Sequence, residues 1–498
     1  MDEHNAELLD NTHPPSWSDP TPKDRYNLVV IGGGAGGLIT AAGAAGVGAN
    51  VALIEEHLLG GDCLNVGCVP SKALLKSAKV AQTVRRAGDY GVRVSGEVSI
   101  DFGAVMERMR RLRAQISPVD SATRYADELG VDVYMGRATF IGPDTVEVNG
   151  RTLRFAKAVI ATGGTAAIPG IPGLDTVPYL TNASVFNLTE LPKRLCVLGA
   201  GPIGIELAQA FNAFGSEVTV LDRADQILVR EDADAAALVY EALLHDGVHF
   251  EFSASTKAFR NDGPANPAVV ELADGRELRF DAVLVAIGRK PSVEGLGLEA
   301  AGVAFDARTG VTVDERLQTS NSNIYAVGDV ASRYQFTHAA DFMARAAIRN
   351  ALFFGRANAQ NLLIPWATYT DPEIAHVGLY PKDLDERGIA YETFLRDFAD
   401  VDRTILDGEA RGFVKIHVKR GSDEIVGATV VGTHAGDMIS EITLAMQSRV
   451  GLGTIANVIH PYPTAADAIR QCGDAYNRTR LSPTIKAVFN RFLRFQRR

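Results

Sequence analysis

The chain has 498 residues, 46% hydrophobic and 22% charged, with a formal net charge of −10. This describes a globular protein of about three ordinary domains with ample core, and the charge, without a basic stripe among aromatics, argues against nucleic acid as a partner. Four cysteines are too few for a disulfide scaffold in so long a chain, and point to a cytoplasmic protein in which one pair has a special use.

Residues 1–24 are polar, acidic and proline-containing, without the apolar core of a signal peptide, and are predicted to be a disordered tail. Residues 27–31 read as a short buried strand. It runs into Gly32-Gly33-Gly34-Ala35-Gly36-Gly37, a helix of small residues, and a second strand over 51–54 ending in Glu55. Strand, GxGxxG, helix, strand and terminal acid together form a dinucleotide fingerprint. The glycines allow a tight turn and bring a pyrophosphate close to the helix N-terminus, and the acid can bind a ribose hydroxyl.

Directly after this unit come Cys63-Leu64-Asn65-Val66-Gly67-Cys68 and Val69-Pro70-Ser71-Lys72. On a regular helix, residues five apart are separated by about 7.5 Å along the axis. A disulfide spans roughly 4.4–6.8 Å between Cα atoms. If the pair bonds, the backbone must leave the helix between Asn65 and Gly67, and a glycine eases that. Pro70 suits the first turn of a following helix, so Cys68 is expected at a helix N-terminus, where the dipole favours a thiolate. A reactive dithiol, two reduced core cysteines and a metal-binding pair all stay open on these residues alone. The basic run Arg108-Met109-Arg110-Arg111-Leu112-Arg113 is predicted to be the solvated face of a helix.

A strand over 194–198 then leads into Gly199-Ala200-Gly201-Pro202-Ile203-Gly204, a helix, and a strand over 217–221 ending in Asp222. Gly32, Gly34, Gly37 and Glu55 match Gly199, Gly201, Gly204 and Asp222 at a constant offset. Two dinucleotide sites imply two cofactors, with electron relay between them as the natural use. Asp222 suits a free ribose 2′-hydroxyl and favours NADH, although Arg223 beside it could serve NADP. Apolar strands returning to a sheet are predicted where Thr162-Gly163, Gly288 and Gly328-Asp329 end them. After about residue 360 short strands alternate with helices in an α+β pattern without a nucleotide fingerprint. No apolar stretch reaches the roughly 20 residues of a membrane span, so no membrane partner is expected.

With the dithiol and both fingerprints in place, the chain resembles the FAD-dependent pyridine nucleotide–disulfide oxidoreductases, which include dihydrolipoamide dehydrogenase and mercuric reductase. The resemblance implies an α/β fold with two Rossmann-like domains and a C-terminal α+β dimerisation domain. The expected bounds are 25–170 and 291–360 for FAD, 171–290 for NAD(P), and 361–498 for the homodimer interface. It implies that Gly32, Gly34, Gly37, Glu55, Thr162, Gly163 and Asp329 hold FAD. Gly199, Gly201, Gly204, Asp222, Arg223 and Gly288 would serve NAD(P)H. Cys68 would be the thiolate beside the flavin, Cys63 the exchange thiol, and Lys72 a cation near the flavin paired with Glu206. Asp62 stands where the family commonly has Thr.

His460, in His460-Pro461-Tyr462-Pro463, matches the general acid–base that serves the exchange thiol across the dimer. Asp467 is expected to orient it, although it lies seven residues on where the family's carboxylate lies five. Tyr462 is a candidate substrate contact. A small-molecule or lipoyl disulfide is the expected substrate. A soft metal ion such as Hg(II) is the alternative, weakened because no cysteine follows Cys472. A flavin-binding redox sensor without turnover is a third reading. Cys196 and Cys472 are expected to be core residues.

Overall fold

The structure, a computed structural model, describes residues 2–96 and 98–497. It corrects the sequence reading at once, because residues 2–24 are anchored rather than a disordered tail. Helix α1 (Glu3–Thr12) is opened by the Asp2 carboxylate, which accepts the Asn5 amide at 2.8 Å. Leu8 is buried, the Trp17 indole donates to the Val133 carbonyl at 3.1 Å, and Asp19 accepts the Met135 amide at 2.9 Å. Single anchors, not an apolar stripe, hold this polar segment.

The chain clusters into two units, 1–225 with 247–362, and 226–246 with 363–498. In the first, Leu28, Val29 and Val30 have no solvent exposure, as a parallel strand covered on both faces requires. They lie in β1 (Tyr26–Ile31), which leads to α2 (Ala35–Gly46) and β2 (Val51–Glu55). Alternate side chains go to opposite faces. Leu28 and Val30 pack with Leu38 and Ala41 of α2, whereas Val29 and Ile31 join Phe140 and Phe155 in a second core.

Next come α3 (Gly61–Val66), α4 (Cys68–Arg85), α5 (Phe102–Ile116), β3 (Asp132–Met135) and β4 (Arg151–Ile160). The second fingerprint forms β5 (Arg194–Leu198), α6 (Pro202–Phe214) and β6 (Glu217–Leu221), followed by β7 (His249–Glu251) and β8 (Ala282–Val285). The chain then returns through β9 (Ile324–Ala326) and α7 (Thr337–Leu352). One parallel array runs β3-β2-β1-β4-β9, and the other runs β7-β6-β5-β8. Both glycine turns therefore lie at the carboxyl ends of central strands, where open α/β sheets bind ligands.

In the second unit, β10 (Trp366–Thr368), β11 (Glu373–Gly378), β12 (Tyr391–Asp397), β13 (Phe413–Lys419) and β14 (Ile425–Gly432) form an antiparallel sheet ordered β10-β11-β14-β13-β12. Helices α8 (Ala435–Gln447) and α9 (Asp467–Thr479) pack on it through Ile439, Ile442, Ile469 and Cys472. The terminal helix α10 (Pro483–Gln496) follows. The helix Ala233–His245 clusters with this unit. The buried Lys415 ammonium binds Asp232 at 2.9 Å and Asp234 at 2.6 Å, and Trp366 donates to Glu231 at 2.9 Å.

Candidate active site

α3 stops at Val66 and α4 starts at Cys68, with Gly67 between them at φ −137° and ψ −115°. A Cβ on Gly67 would lie 2.7 Å from the Asp62 carbonyl oxygen, so the break between the cysteines needs glycine. Both thiols are free, and Cys68 opens an 18-residue helix with Pro70 in its first turn. The intervening backbone is fixed from two sides. The Asn65 amide donates to the Leu59 and Gly61 carbonyls at 3.0 and 2.9 Å, and the Arg113 guanidinium donates to the Asn65 carbonyl at 2.7 Å. Arg113 also donates to Asn5 of α1 at 2.7 Å.

The basic run is therefore a solvated face only in part: Arg111 is exposed, but its neighbours are engaged. Arg113 is 5% exposed, Arg110 binds Asp2 at 2.5 Å, and Arg108 donates to the Ala73 carbonyl at 3.0 Å. Like-charged neighbours on one helix are tolerable when the inward ones find their own acceptors and the rest face water.

The two sulfurs are electrostatically unequal. A hydrogen bond from Cys63 lowers the Cys68 thiol to about 6 against the opposing effect of burial, and the Thr337 hydroxyl and the Lys72 cation add to the shift. The same bond, joined by burial, pushes Cys63 up. Thr337 Oγ1 stands 3.5 Å from Cys68 Sγ at the start of α7. Lys72 Nζ lies 2.8 Å from Glu206 of α6, whose side chain is nearly buried.

The two glycine turns share one construction. Gly33 N–H donates to Glu55 Oε2 at 2.5 Å and His57 N–H to Oε1 at 2.7 Å. In the second turn Ala200 N–H donates to Asp222 Oδ2 at 2.6 Å and Ala224 N–H to Oδ1 at 2.8 Å. A Cβ on Gly37 would lie 1.7 Å from the Gly32 carbonyl oxygen, and one on Gly204 2.0 Å from that of Gly199. Gly34 and Gly201 start α2 and α6 without side-chain caps, which suits both helix ends to pyrophosphate. Burial pushes the Glu55 carboxyl up. Arg223 beside Asp222 is exposed.

At the ends of the return strands, Thr162 donates to the Ser292 carbonyl at 2.7 Å, and Gly163 and Gly288 both have positive φ. Burial pushes the Asp329 carboxyl up. Arg289 reaches Asp329 at 3.2 Å and Asp62 at 2.6 Å, tying the residue before Cys63 to the Gly-Asp strand end. Asp62 thus has a partner that the family's usual threonine could not match in charge. Sequence reading missed Arg289, although it directly follows Gly288.

In the second unit the ring of His460 is held by Glu441 of α8, at 2.9 Å from Nε2, and by the Val458 carbonyl, at 3.0 Å from Nδ1. No hydrogen bond joins Asp467 to this ring among the described residues, although the two feel each other's charge. The Asp467 carboxylate takes Arg470 at 2.7 Å and Gln471 at 2.6 Å, which satisfies it within its own helix. Tyr462 is exposed, donates to Asp402 at 2.7 Å, and lines with Asp467, Arg403 and Arg470 a cavity of 390 Å³. Cys196 and Cys472 are fully buried, with burial pushing both thiols up, Cys472 to about 12.

Residues 26–344 match the family described as pyridine nucleotide-disulphide oxidoreductase, and residues 364–472 match its dimerisation domain, which supports a homodimer. The chain is 34% identical over 453 residues to dihydrolipoyl dehydrogenase of Chlamydia muridarum, covering 89% of this chain and 95% of that protein. It is 33% identical over 446 residues to mercuric reductase of Bacillus cereus, covering 89% and 70%. Among solved structures, the HOCl-induced flavoprotein disulfide reductase RclA from Escherichia coli aligns with a TM-score of 0.81 at 28% identity, covering 90% of this chain and 99% of that one. LpdA from Mycobacterium tuberculosis aligns at 0.83 and 28%, covering 91% and 99%. The chain belongs to the pyridine nucleotide–disulphide oxidoreductases, flavoproteins whose family implies FAD and a pyridine nucleotide as cofactors.

Proposed function

We propose that the chain oxidises a nicotinamide nucleotide, NADH in preference to NADPH, and passes the electron pair by way of FAD to Cys63 and Cys68 and on to a small-molecule or lipoyl disulfide. The observation that carries this reading is the split between the two sulfurs, Cys68 drawn toward thiolate and Cys63 held as thiol. Bound FAD would supply the two-electron exchange between nicotinamide and sulfur. Gly32, Gly34 and Gly37 would hold its pyrophosphate at the start of α2, with Glu55, Thr162, Gly163 and Asp329 along the rest. Gly199, Gly201 and Gly204 would hold the nucleotide, with Gly288 at the neighbouring strand end. Asp222 would take the ribose 2′-hydroxyl, outweighing Arg223 beside it.

Lys72, held by Glu206, keeps a cation where anionic charge collects and helps to keep Cys68 ionised. Cys63, held as a thiol, needs a base before it can attack. We assign that role to His460, oriented by Glu441 rather than Asp467. In the reducing direction Cys63 gives its proton to the base and its sulfur attacks one substrate sulfur. The substrate disulfide breaks, and the leaving thiolate takes the proton. Cys68 then attacks Cys63 in the mixed disulfide, releasing the second substrate thiolate and closing the protein disulfide.

Nucleotide oxidation assayed over lipoamide, glutathione disulfide, Hg(II) and quinones tests this reading. Turnover with a disulfide supports it. Turnover with Hg(II) alone supports the second reading, favoured by mercuric reductase and dihydrolipoyl dehydrogenase relatives standing level at 33% and 34% identity. No turnover with any acceptor supports a flavin-binding subunit or sensor.

A further inference from the structure

Helix α10 stands apart from everything described so far. Every residue from Pro483 to Gln496 is exposed, and the helix lies past residues 364–472, which match the family's dimerisation domain. Its start is specified locally. The Ser482 hydroxyl accepts the Ile485 amide at 3.3 Å, and Pro483 takes the first position. A 14-residue helix with no packed face is marginal in water, so this one gains order from whatever its apolar side meets.

The sequence of α10 defines that side sharply. At about 100° per residue, Ile485, Val488, Phe489, Phe492, Leu493 and Phe495 share an arc of roughly 160°, interrupted only by Gln496 in the last turn. Phe492 is 58% exposed and Phe495 75%. The opposite arc carries Lys486, Arg491, Arg494 and, just past the helix, Arg497. Lys486 and Arg497 border the apolar arc on one side and Arg491 on the other. No acidic residue follows Asp474, although the whole chain has a net charge of −10.

We infer that α10 lies on anionic lipid bilayers, its phenylalanine face at the acyl boundary and its flanking cations at headgroup level. Cations along both edges of a wide aromatic face fit a planar anionic surface better than a single groove. None of the described helices is long and apolar enough to cross a membrane, so the contact is peripheral. It revises the expectation of no membrane partner, which rested only on the lack of a spanning stretch. The inference is independent of the substrate proposed above.

The test is co-sedimentation of the full-length holoprotein with vesicles of phosphatidylcholine alone or with 30 mol% phosphatidylglycerol, about the composition at which surface charge is felt. Binding to the anionic vesicles is expected, at least about tenfold tighter than to neutral ones and weakening with salt. Arg491→Gln/Arg494→Gln/Arg497→Gln should weaken it by about 100-fold. Phe489→Ala/Phe492→Ala/Phe495→Ala should abolish it while leaving nucleotide oxidation and the sedimentation coefficient unchanged. Absence of binding to anionic vesicles at low salt overturns the inference, as does binding indifferent to both variants. A lowered sedimentation coefficient for the phenylalanine variant also overturns it, by making this face a contact between copies of the chain.

Discussion

The two glycine turns are near duplicates at the level of hydrogen bonds and differ in what covers them. Around Gly34 the chain doubles back. Gly60 and Gly61 both have positive φ, and a Cβ on Gly61 would lie 2.6 Å from Gly34 Cα. A Cβ on Gly33 would meet Leu59 at 2.5 Å, and the second turn has Ala200 in that place. Around Gly201 nothing among the described residues lies within 4 Å of a built Cβ. The same local fold is thus roofed in one copy by the segment that continues into Cys63, and left open in the other. In our proposal the first turn keeps a resident cofactor against the cysteines, and the second admits one that comes and goes.

The largest effect expected comes from placing a methyl in each turn. Gly37→Ala should yield protein without flavin absorbance and without activity. Gly204→Ala should stay yellow and remain reducible by dithionite, yet lose at least about 100-fold in the rate of reduction by nucleotide, roughly 2.7 kcal/mol in barrier. Loss of flavin from both variants would erase the distinction between a resident and a visiting cofactor.

A second pair of variants separates the roofed turn from the sulfurs behind it. Cys63→Ser and Cys68→Ser should each retain flavin and still accept electrons from nucleotide, while disulfide turnover falls by about 1000-fold or more. Full disulfide activity in either variant would sink the relay.

Smaller changes are expected at the open turn's acid. Asp222→Ala should raise the KM for NADH about tenfold and narrow the gap to NADPH, an effect of about 1.4 kcal/mol. Steady-state kinetics with both nucleotides measure it, and a large NADPH preference in the unsubstituted protein would defeat the Asp222 reading.

The smallest effect is one of pH. The folded Cys68 value of about 6 lies below that of a free thiol, about 8.5. The reduced folded chain therefore binds fewer protons than the unfolded one between these values. The stabilisation is complete above the free-thiol value, shrinks as pH falls, and is gone below about 6. Alkylation of Cys68 by iodoacetamide should be half-maximal near the same pH, whereas Cys63 should show no ionisation there. The difference in Tm between the reduced protein and Cys68→Ser should narrow over the same interval.

Both sheets and the dithiol break could be read from sequence because each has a periodic or steric signature: buried runs such as Leu28-Val29-Val30, acids at a fixed distance from glycines, a glycine where a helix must stop. What escaped was held by single contacts between distant residues. The order of residues 2–24 rests on scattered anchors such as Asp2, Asn5, Leu8, Trp17 and Asp19, and no repeat marks them. Arg113 sits among arginines whose spacing suggests a wet face, and only the fold shows that its acceptor is the carbonyl between the two cysteines. Glu441 is on a different helix from the loop that carries His460. A search for a downstream carboxylate found Asp467, which was already taken by Arg470.

The link from Asn5 through Arg113 to the Asn65 carbonyl, two bonds of 2.7 Å each, has a practical side. It makes the choice of purification handle part of the redox chemistry. A tag fused ahead of Asp2, or a protease that trims α1, acts on a segment two hydrogen bonds from the backbone that spaces the sulfurs. Preparations that differ only in that handle should differ in how readily their thiols are oxidised, and a comparison of variants holds only within one such design.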